Sequence, residues 1–153
     1  MVELVLPNDA NTMGNVLGGR VLHWIDMAAA IVAHRHCRTE AVTASMDEVS
    51  FLAPIRVGQM ALIAARMTYA GRTSMEIRVD VQSEDLLSGE RRRTSTAYLT
   101  FVAVDKAGRP VPVPPLLYET EEEKREGRAA EARRAERLRG LPQDETPTEI
   151  QQR

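Results

Sequence analysis

Two glycines, Gly18 and Gly19, open a helical stretch, and a carboxylate, Asp26, follows eight residues later on a face otherwise made for burial. Backbone N–H groups at a helix start sit on the positive end of its dipole and bind an anion, or a carbonyl oxygen becoming one. A carboxylate two turns further along is reachable from the same cleft when a substrate runs down the helix, and can serve as general base or nucleophile. Oxyanion donors plus such a carboxylate are what acyl-transfer hydrolysis needs. By spacing alone a plainer reading stands beside it, in which Gly-Gly only permits tight packing and Asp26 is an ordinary polar border residue.

The pattern also names the elements that must position these groups. A polar, glycine-bearing approach (Asn11, Gly14, Asn15) leads into the helix, where Val21, Leu22, Ile25, Ala28, Ala29 and Val32 recur at spacings of three and four and form one stripe. Asp26 borders that stripe, a half-dry setting in which proteins often place groups that do chemistry. Ala28, Ala29, Ala30 and Ala33 supply apolar area without bulk, which suits a helix wrapped closely by something else. Arg35, His36 and Arg38 fall in its last turn and complement the negative end of the dipole.

Around this helix the chain reads mostly as strands. VELVL (2–6) is a short strand closed by Pro7, and 41–51, rich in Val, Thr and Ser, is a second. A third spans 59–69, with Gly71-Arg72-Thr73 as a hairpin turn. Met75, Ile77, Val79 and Val81 then alternate with Glu76, Arg78, Asp80 and Gln82, the pattern of a half-buried antiparallel strand. Leu87-Ser88-Gly89 turns the chain into a last strand, 91–105. VPVPPL (111–116) is extended and proline-stiffened, and 119–139 is a Glu/Arg/Ala helix with many i,i+4 charge pairs and few apolar anchors. One helix of about five turns cannot bury itself, and a five-stranded antiparallel sheet curved around it would cover its stripe. The expected architecture is therefore a hotdog-like α+β fold with an added C-terminal helix: a domain over 1–118, the charged helix over 119–140 and a disordered tail over 141–153.

With 43% hydrophobic residues in 153, the chain suffices for one domain with a real core. Its 20 Lys and Arg against 22 Asp and Glu argue against a chain built to neutralise nucleic-acid phosphates. The single Cys37 makes no internal disulfide, no apolar run nears the roughly 20 residues of a membrane span, and no basic-then-apolar leader is visible. A cytoplasmic setting without membrane or nucleic-acid partners is the expectation.

Taken together, Asn11-x-x-Gly14-x-x-x-Gly18-Gly19, Ile25-Asp26-x-x-Ala29, Arg35-His36-Cys37, VTASMDEVSF (42–51), SMEI (74–77) and the VPVPP…ETEEEKR segment (111–125) resemble the hotdog acyl-CoA thioesterases of the cytosolic acyl-CoA hydrolase type. The resemblance implies hydrolysis of fatty acyl-CoA to free acid and CoA, with Asn11 and Asp26 as the catalytic pair. In relatives with two fused hotdog domains a site draws its Asn and its Asp from different domains, so a homodimer with two shared sites is implied, and further association into hexamers. CoA belongs to substrate and product, and no other cofactor and no metal is expected. Its phosphates call for basic or N–H-rich turns, and Arg72, Thr73 and Ser74 at the hairpin are the candidates, with Arg91, Arg92 and Arg93 behind them.

Other functions are weighed against this one. A non-catalytic acyl-CoA-binding or lipid-sensing hotdog module would keep the pocket without the chemistry, and the presence of both Asn11 and Asp26 argues against it. A hotdog dehydratase wants a histidine before the helix and a glutamate on it; here the helix carries Asp26. A third reading makes the charged C-terminal helix a partner-binding element. His23 could reach a substrate, His34 and His36 read as dipole partners, and the three together, lacking carboxylate or cysteine at ligand spacing, make a poor metal site. Asp47 reads as structural, and Trp24 and the seven Met residues as core or interface filling.

Overall fold

Helix α1, Gly18–Cys37, is the part of the chain that the rest closes upon. The structure is a computed structural model and describes residues 1–47 and 49–140; the tail reading over 141–153 lies outside them. Five strands, β1 (Val2–Leu4), β2 (Glu40–Met46), β3 (Met60–Ala70), β4 (Ser74–Glu84) and β5 (Arg91–Val104), form one antiparallel sheet in the order β1-β3-β4-β5-β2. Its inner face packs on α1 through β2, β3, β4 and β5. A second helix, α2 (Glu121–Gly140), lies on the outer face. This is the expected hotdog arrangement.

The core follows the two periodicities. Val21, Ile25, Ala29 and Ala33 of α1 meet Met75, Ile77, Val79 and Val81 of β4, with Leu99 and Phe101 of β5, all essentially fully buried. Each of the larger side chains contributes roughly 1.5–3 kcal/mol by leaving water. Arg38 ends α1 in the left-handed conformation (φ 57°), its N–H bonding the His34 carbonyl, so it caps the helix instead of extending it. His36 donates from Nε2 to the Pro114 carbonyl (2.8 Å) and so tethers the proline-rich segment. Within that segment Val111 and Val113, which alternate with prolines, keep their N–H groups, and these two bond the carbonyls of Ala103 and Arg72 (2.9 Å each).

Two expectations need correction. The strand read over 41–51 ends at Met46, because beyond it the paired ladder gives way to two single bonds onto β5. These run from the Asp47 N–H to the Tyr98 carbonyl and from the Leu52 N–H to the Thr94 carbonyl, with Phe51 beside Gly18. The polar side of β4 does not face water throughout: Glu76 is 1% exposed. Its carboxylate accepts bonds from the Thr68 hydroxyl (2.7 Å) and from Nη2 and Nε of Arg133 (2.7 and 3.1 Å), and the Arg133 guanidinium stacks 3.8 Å from the Tyr98 ring centre. Glu126 meanwhile bridges Arg66 and Arg78. A helix short of apolar anchors is therefore held by ion pairs and by two small residues, Ala130 and Gly127, that let it approach closely.

At Gly127 a Cβ would lie 2.5 Å from the ring and hydroxyl of Tyr118, whose OH is itself fixed on the Thr68 carbonyl (3.0 Å). Alanine would gain about 1 kcal/mol of helix propensity and lose about 1–3 kcal/mol to overpacking. Gly127→Ala should thus lower the urea midpoint, and a raised midpoint would contradict this packing.

Charge adds a pH dependence. The Arg66 guanidinium holds the Glu126 carboxyl below its ordinary range against some desolvation, and Arg78 adds to the effect. Burial pushes Asp80 up, but the Thr96 hydroxyl, Arg78 and Arg66 outweigh it and hold that carboxyl low as well. Groups depressed in the folded state stabilise it at neutral pH and lose that contribution as the pH falls through their folded values. Thermal stability should therefore fall below about pH 4, and more shallowly in an Asp80→Asn/Glu126→Gln variant, as scanning calorimetry across pH would register.

Candidate active site

The site is built where the approach loop meets the start of α1. Asp9, 5% exposed, accepts bonds from the Leu6 N–H (3.0 Å) and Arg20 Nε (2.7 Å), while its carbonyl takes the N–H of Leu17 (2.8 Å). Val16 N–H to Ile55 (2.7 Å) and Val57 N–H to Gly14 (3.0 Å) clamp the loop to the chain ahead of β3. Inside it the Asn11 carboxamide oxygen accepts the N–H groups of Met13 and Asn15 (3.0 and 3.1 Å). That engagement turns the Asn11 NH2 outward, where it can donate.

The first N–H groups of a helix have no partner within it. Leu17, at the N-cap, has no side-chain acceptor, and its carbonyl takes the N–H groups of Arg20 and Val21. Among the described residues no acceptor meets the N–H groups of Gly18 and Gly19, which are left as donors on the positive end of the dipole. Neither glycine is forced by crowding, since a Cβ would meet only Phe51 at 3.6 Å from Gly18 and nothing within 4 Å of Gly19. Beside them opens a cleft of 370 Å³, walled by Val21, Phe51, Leu52, Ile55 and Thr94. It is mainly apolar, a fit for hydrocarbon.

Asp26 lies about 12 Å further along the axis at 1.5 Å per residue. It is half-buried and faces β2, where the Thr43 hydroxyl donates to its Oδ1 (2.7 Å). The β2–β5 register slips between Thr43 and Ser45, a bulge of the kind that re-aims a side chain beside a site. Thr43 was not singled out in the sequence, where it reads as one β-branched residue of the VTASMDEVSF strand. Its membership of that motif was the signal.

The other candidates separate. Arg72, Thr73 and Ser74 lie at the β3–β4 hairpin, where the Thr73 carbonyl takes the Ala103 N–H, whereas the cleft borders Thr94 at the opposite end of β5. Nine strand residues put roughly 30 Å between them within one chain. Arg91, Arg92 and Arg93 pair with Glu84, Glu90 and Asp80. Asp47 pairs with Arg137 of α2 (3.3 Å), as a structural role requires. His23 is exposed on α1, and among the described residues no group of three His, Cys, Asp or Glu could hold a metal ion.

Comparison with known proteins shows the family and the fold. The family model described as "Thioesterase superfamily" matches residues 13–90. An uncharacterized acyl-CoA thioester hydrolase of Bacillus subtilis is 48% identical over 119 residues, covering 78% of this chain and 69% of its own. The cytosolic acyl coenzyme A thioester hydrolase of Homo sapiens is 42% identical over 127 residues, 82% of this chain but only 33% of that protein, so the chain spans about a third of its length. Among solved structures, an apo-hexameric acyl-CoA thioesterase superposes with a TM-score of 0.87 at 45% identity, covering 91% of this chain and 89% of that one. An acyl-CoA hydrolase from Staphylococcus aureus, in complex with butyryl coenzyme A, coenzyme A and coenzyme A disulfide, gives 0.81 at 36% identity, covering 92% and 88%. The Staphylococcus enzyme was also solved as alanine variants of an asparagine, an aspartate and a threonine that stand fifteen and then seventeen residues apart. Asn11, Asp26 and Thr43 repeat that spacing.

The loop geometry itself is testable. Asp9→Ala would leave the Leu6 N–H and the Arg20 guanidinium without their acceptor and should destabilise the fold by about 1–3 kcal/mol, measured by urea unfolding. An unchanged midpoint would mean that Asp9 does not hold the approach loop.

Proposed function

Since this chain belongs to the thioesterase superfamily, we propose that it is an acyl-CoA thioesterase, hydrolysing the thioester of fatty acyl-CoA to free fatty acid and CoA. The observation that carries this reading is the Asp26 carboxylate, hydrogen-bonded by Thr43 on the helix whose first N–H groups, those of Gly18 and Gly19, have no partner among the described residues. Within one chain those donors lie about 12 Å from Asp26 along the axis. In a homodimer the thioester oxygen therefore accepts from the Gly18 and Gly19 N–H groups of the protomer that supplies Asn11, which stabilise the negative charge that grows on it. Asp26 takes a proton from water as the water oxygen attacks the carbonyl carbon. The C–S bond then breaks, and the departing CoA sulfur receives the proton. In the other route a carboxylate oxygen of Asp26 attacks the carbonyl carbon and CoA leaves as the thiolate. Water then hydrolyses the mixed anhydride, freeing the acid and the Asp26 carboxylate, and the proton released from that water goes to the CoA sulfur. Asn11, with its NH2 turned outward, orients the water or the substrate. No cofactor enters either route.

A two-fold homodimer accounts for what one chain leaves open. β2 is an edge strand, and beside it α1 exposes Met27 (42%) and Ile31 (50%). Antiparallel pairing of two β2 edges would cover these side chains and continue the sheet. It would also carry the partner's β3–β4 hairpin toward the cleft end of α1. Each site then combines the Asp26 of one protomer with the Asn11 of its partner, and Arg72, Thr73 and Ser74 reach the CoA phosphates from the neighbouring chain. Hexamers, as trimers of dimers, accord with the hexameric relative. The protein works in the cytoplasm on this reading, and among the described residues no helix is long and apolar enough to cross a membrane.

Release of free thiol from short, medium and long acyl-CoAs tests the assignment. Asp26→Ala and Asn11→Ala should each slow turnover by at least about 10²-fold, the scale of a lost proton-transfer group, with the oligomer intact. Thr43→Val, which keeps the shape and removes one bond to a charged group, should cost about tenfold. A fully active Asp26→Ala enzyme would remove the carboxylate from the mechanism. Oxygen-18 in a single turnover separates the two routes by labelling either the product acid or Asp26.

A further inference from the structure

We propose that α2 is a positioning element for the acyl-CoA cleft, and that Arg137 acts through Asp47 to set where Phe51 and Leu52 stand beside Gly18. The inference rests on the thioesterase reading of that cleft and extends it to a helix that touches neither Gly18 nor Asp26. After β2 ends, the chain is pinned to β5 at two points, by the Asp47 N–H on the Tyr98 carbonyl (2.9 Å) and the Leu52 N–H on the Thr94 carbonyl (2.8 Å). Between these pins it delivers Phe51, whose ring comes within 3.6 Å of a Cβ position at Gly18, and with Leu52 it forms one wall of the cleft.

The first pin is gripped from outside by α2. Arg137 Nη1 lies 3.3 Å from one oxygen of Asp47 and 3.5 Å from the other, and 3.5 Å from the buried Glu76 carboxylate. One turn earlier, Arg133 stacks on the ring of Tyr98, the residue whose carbonyl holds Asp47. The side chains of Arg137 and Asp47 are only 22% and 25% exposed, so the pair is partly shielded from solvent. Glu76 cannot move to compensate, because Thr68 and Arg133 fix both of its oxygens. The last turn of α2 thus clamps the start of the segment that walls the cleft, while the reacting groups sit on α1 and β2.

A wall residue displaced by a fraction of an ångström alters binding of the acyl chain more than it alters the chemical step. Arg137→Met should raise KM about twofold to fivefold, the scale of one partly exposed ion pair, with kcat held within twofold and a flatter preference among chain lengths. Arg137→Lys should restore the profile. Asp47→Asn should reproduce the shift while leaving the Arg133 contacts to Glu76 in place. Glu126→Gln, which loosens α2 at its distance from Asp47, is the comparator: it should lower the melting temperature and leave KM alone. Equal KM in wild type and Arg137→Met, or equal shifts in Arg137→Met and Glu126→Gln, would overturn the inference while the thioesterase reading stands. A wild-type protein that releases no thiol from any acyl-CoA would overturn both.

Discussion

Everything in this fold depends on covering the apolar stripe of α1. A helix of five turns has more apolar surface than its own backbone can hide, and the sheet that curves around it supplies the missing half of the core. The wrapping is incomplete on one side because β2 is an edge. Along that open side the helix turns from packing to polar contact: Ile25 and Ala29 are buried, while Asp26 between them is half-exposed and meets Thr43. A carboxylate deeper in the stripe would bear a large desolvation penalty, and one on the fully solvated face could not be held in a fixed geometry. The seam between helix and edge strand satisfies both conditions.

The outer face solves a different problem with different means. α2 has little apolar surface, yet it packs on the sheet because Glu76 is buried with its charge matched by Arg133 and every oxygen engaged. Such a pair adds little net stability against an apolar alternative, but removing one partner is expensive. It fixes which helix docks and in which register. Gly127 and the Tyr118 ring set the same register by shape. Together they make α2 a specific attachment, one able to pass a position on to the loop it touches.

The fold was legible where burial imposes a period. The alternation from Met75 to Val81 and the three-and-four spacing on α1 each report one buried face, so strand, helix and wrapping followed from residue order. Asp26, Gly18 and Gly19 stand out as candidates in the sequence because their types are costly where they stand. Thr43 does not: its contact with Asp26 is made beside a bulge in β2, and a bulge leaves no mark in hydrophobic period. Glu76 was read as solvent-facing because alternation reports only that a side chain lies on the opposite face, and cannot tell whether a second layer covers that face. The end of β2 at Met46 was missed for a related reason, since Val49 and Phe51 continue a strand-like composition while the backbone bonds depart.

The glycines at the head of α1 tie these layers together. Within one chain nothing demands them: a methyl group would fit at either position. Their backbone φ values are not those that exclude side chains, so neither conformation nor internal crowding explains two successive residues of poor helix propensity, at a combined penalty of up to about 2 kcal/mol against alanine. What remains is approach from outside. A Cβ at Gly18 or Gly19 would stand between an incoming oxygen and the two unpartnered N–H groups, and would crowd a second chain brought against the open side of the helix. Glycine keeps both routes clear, so the pair that weakens the start of the helix is the one that, in the proposed reaction, would let its dipole act on a thioester.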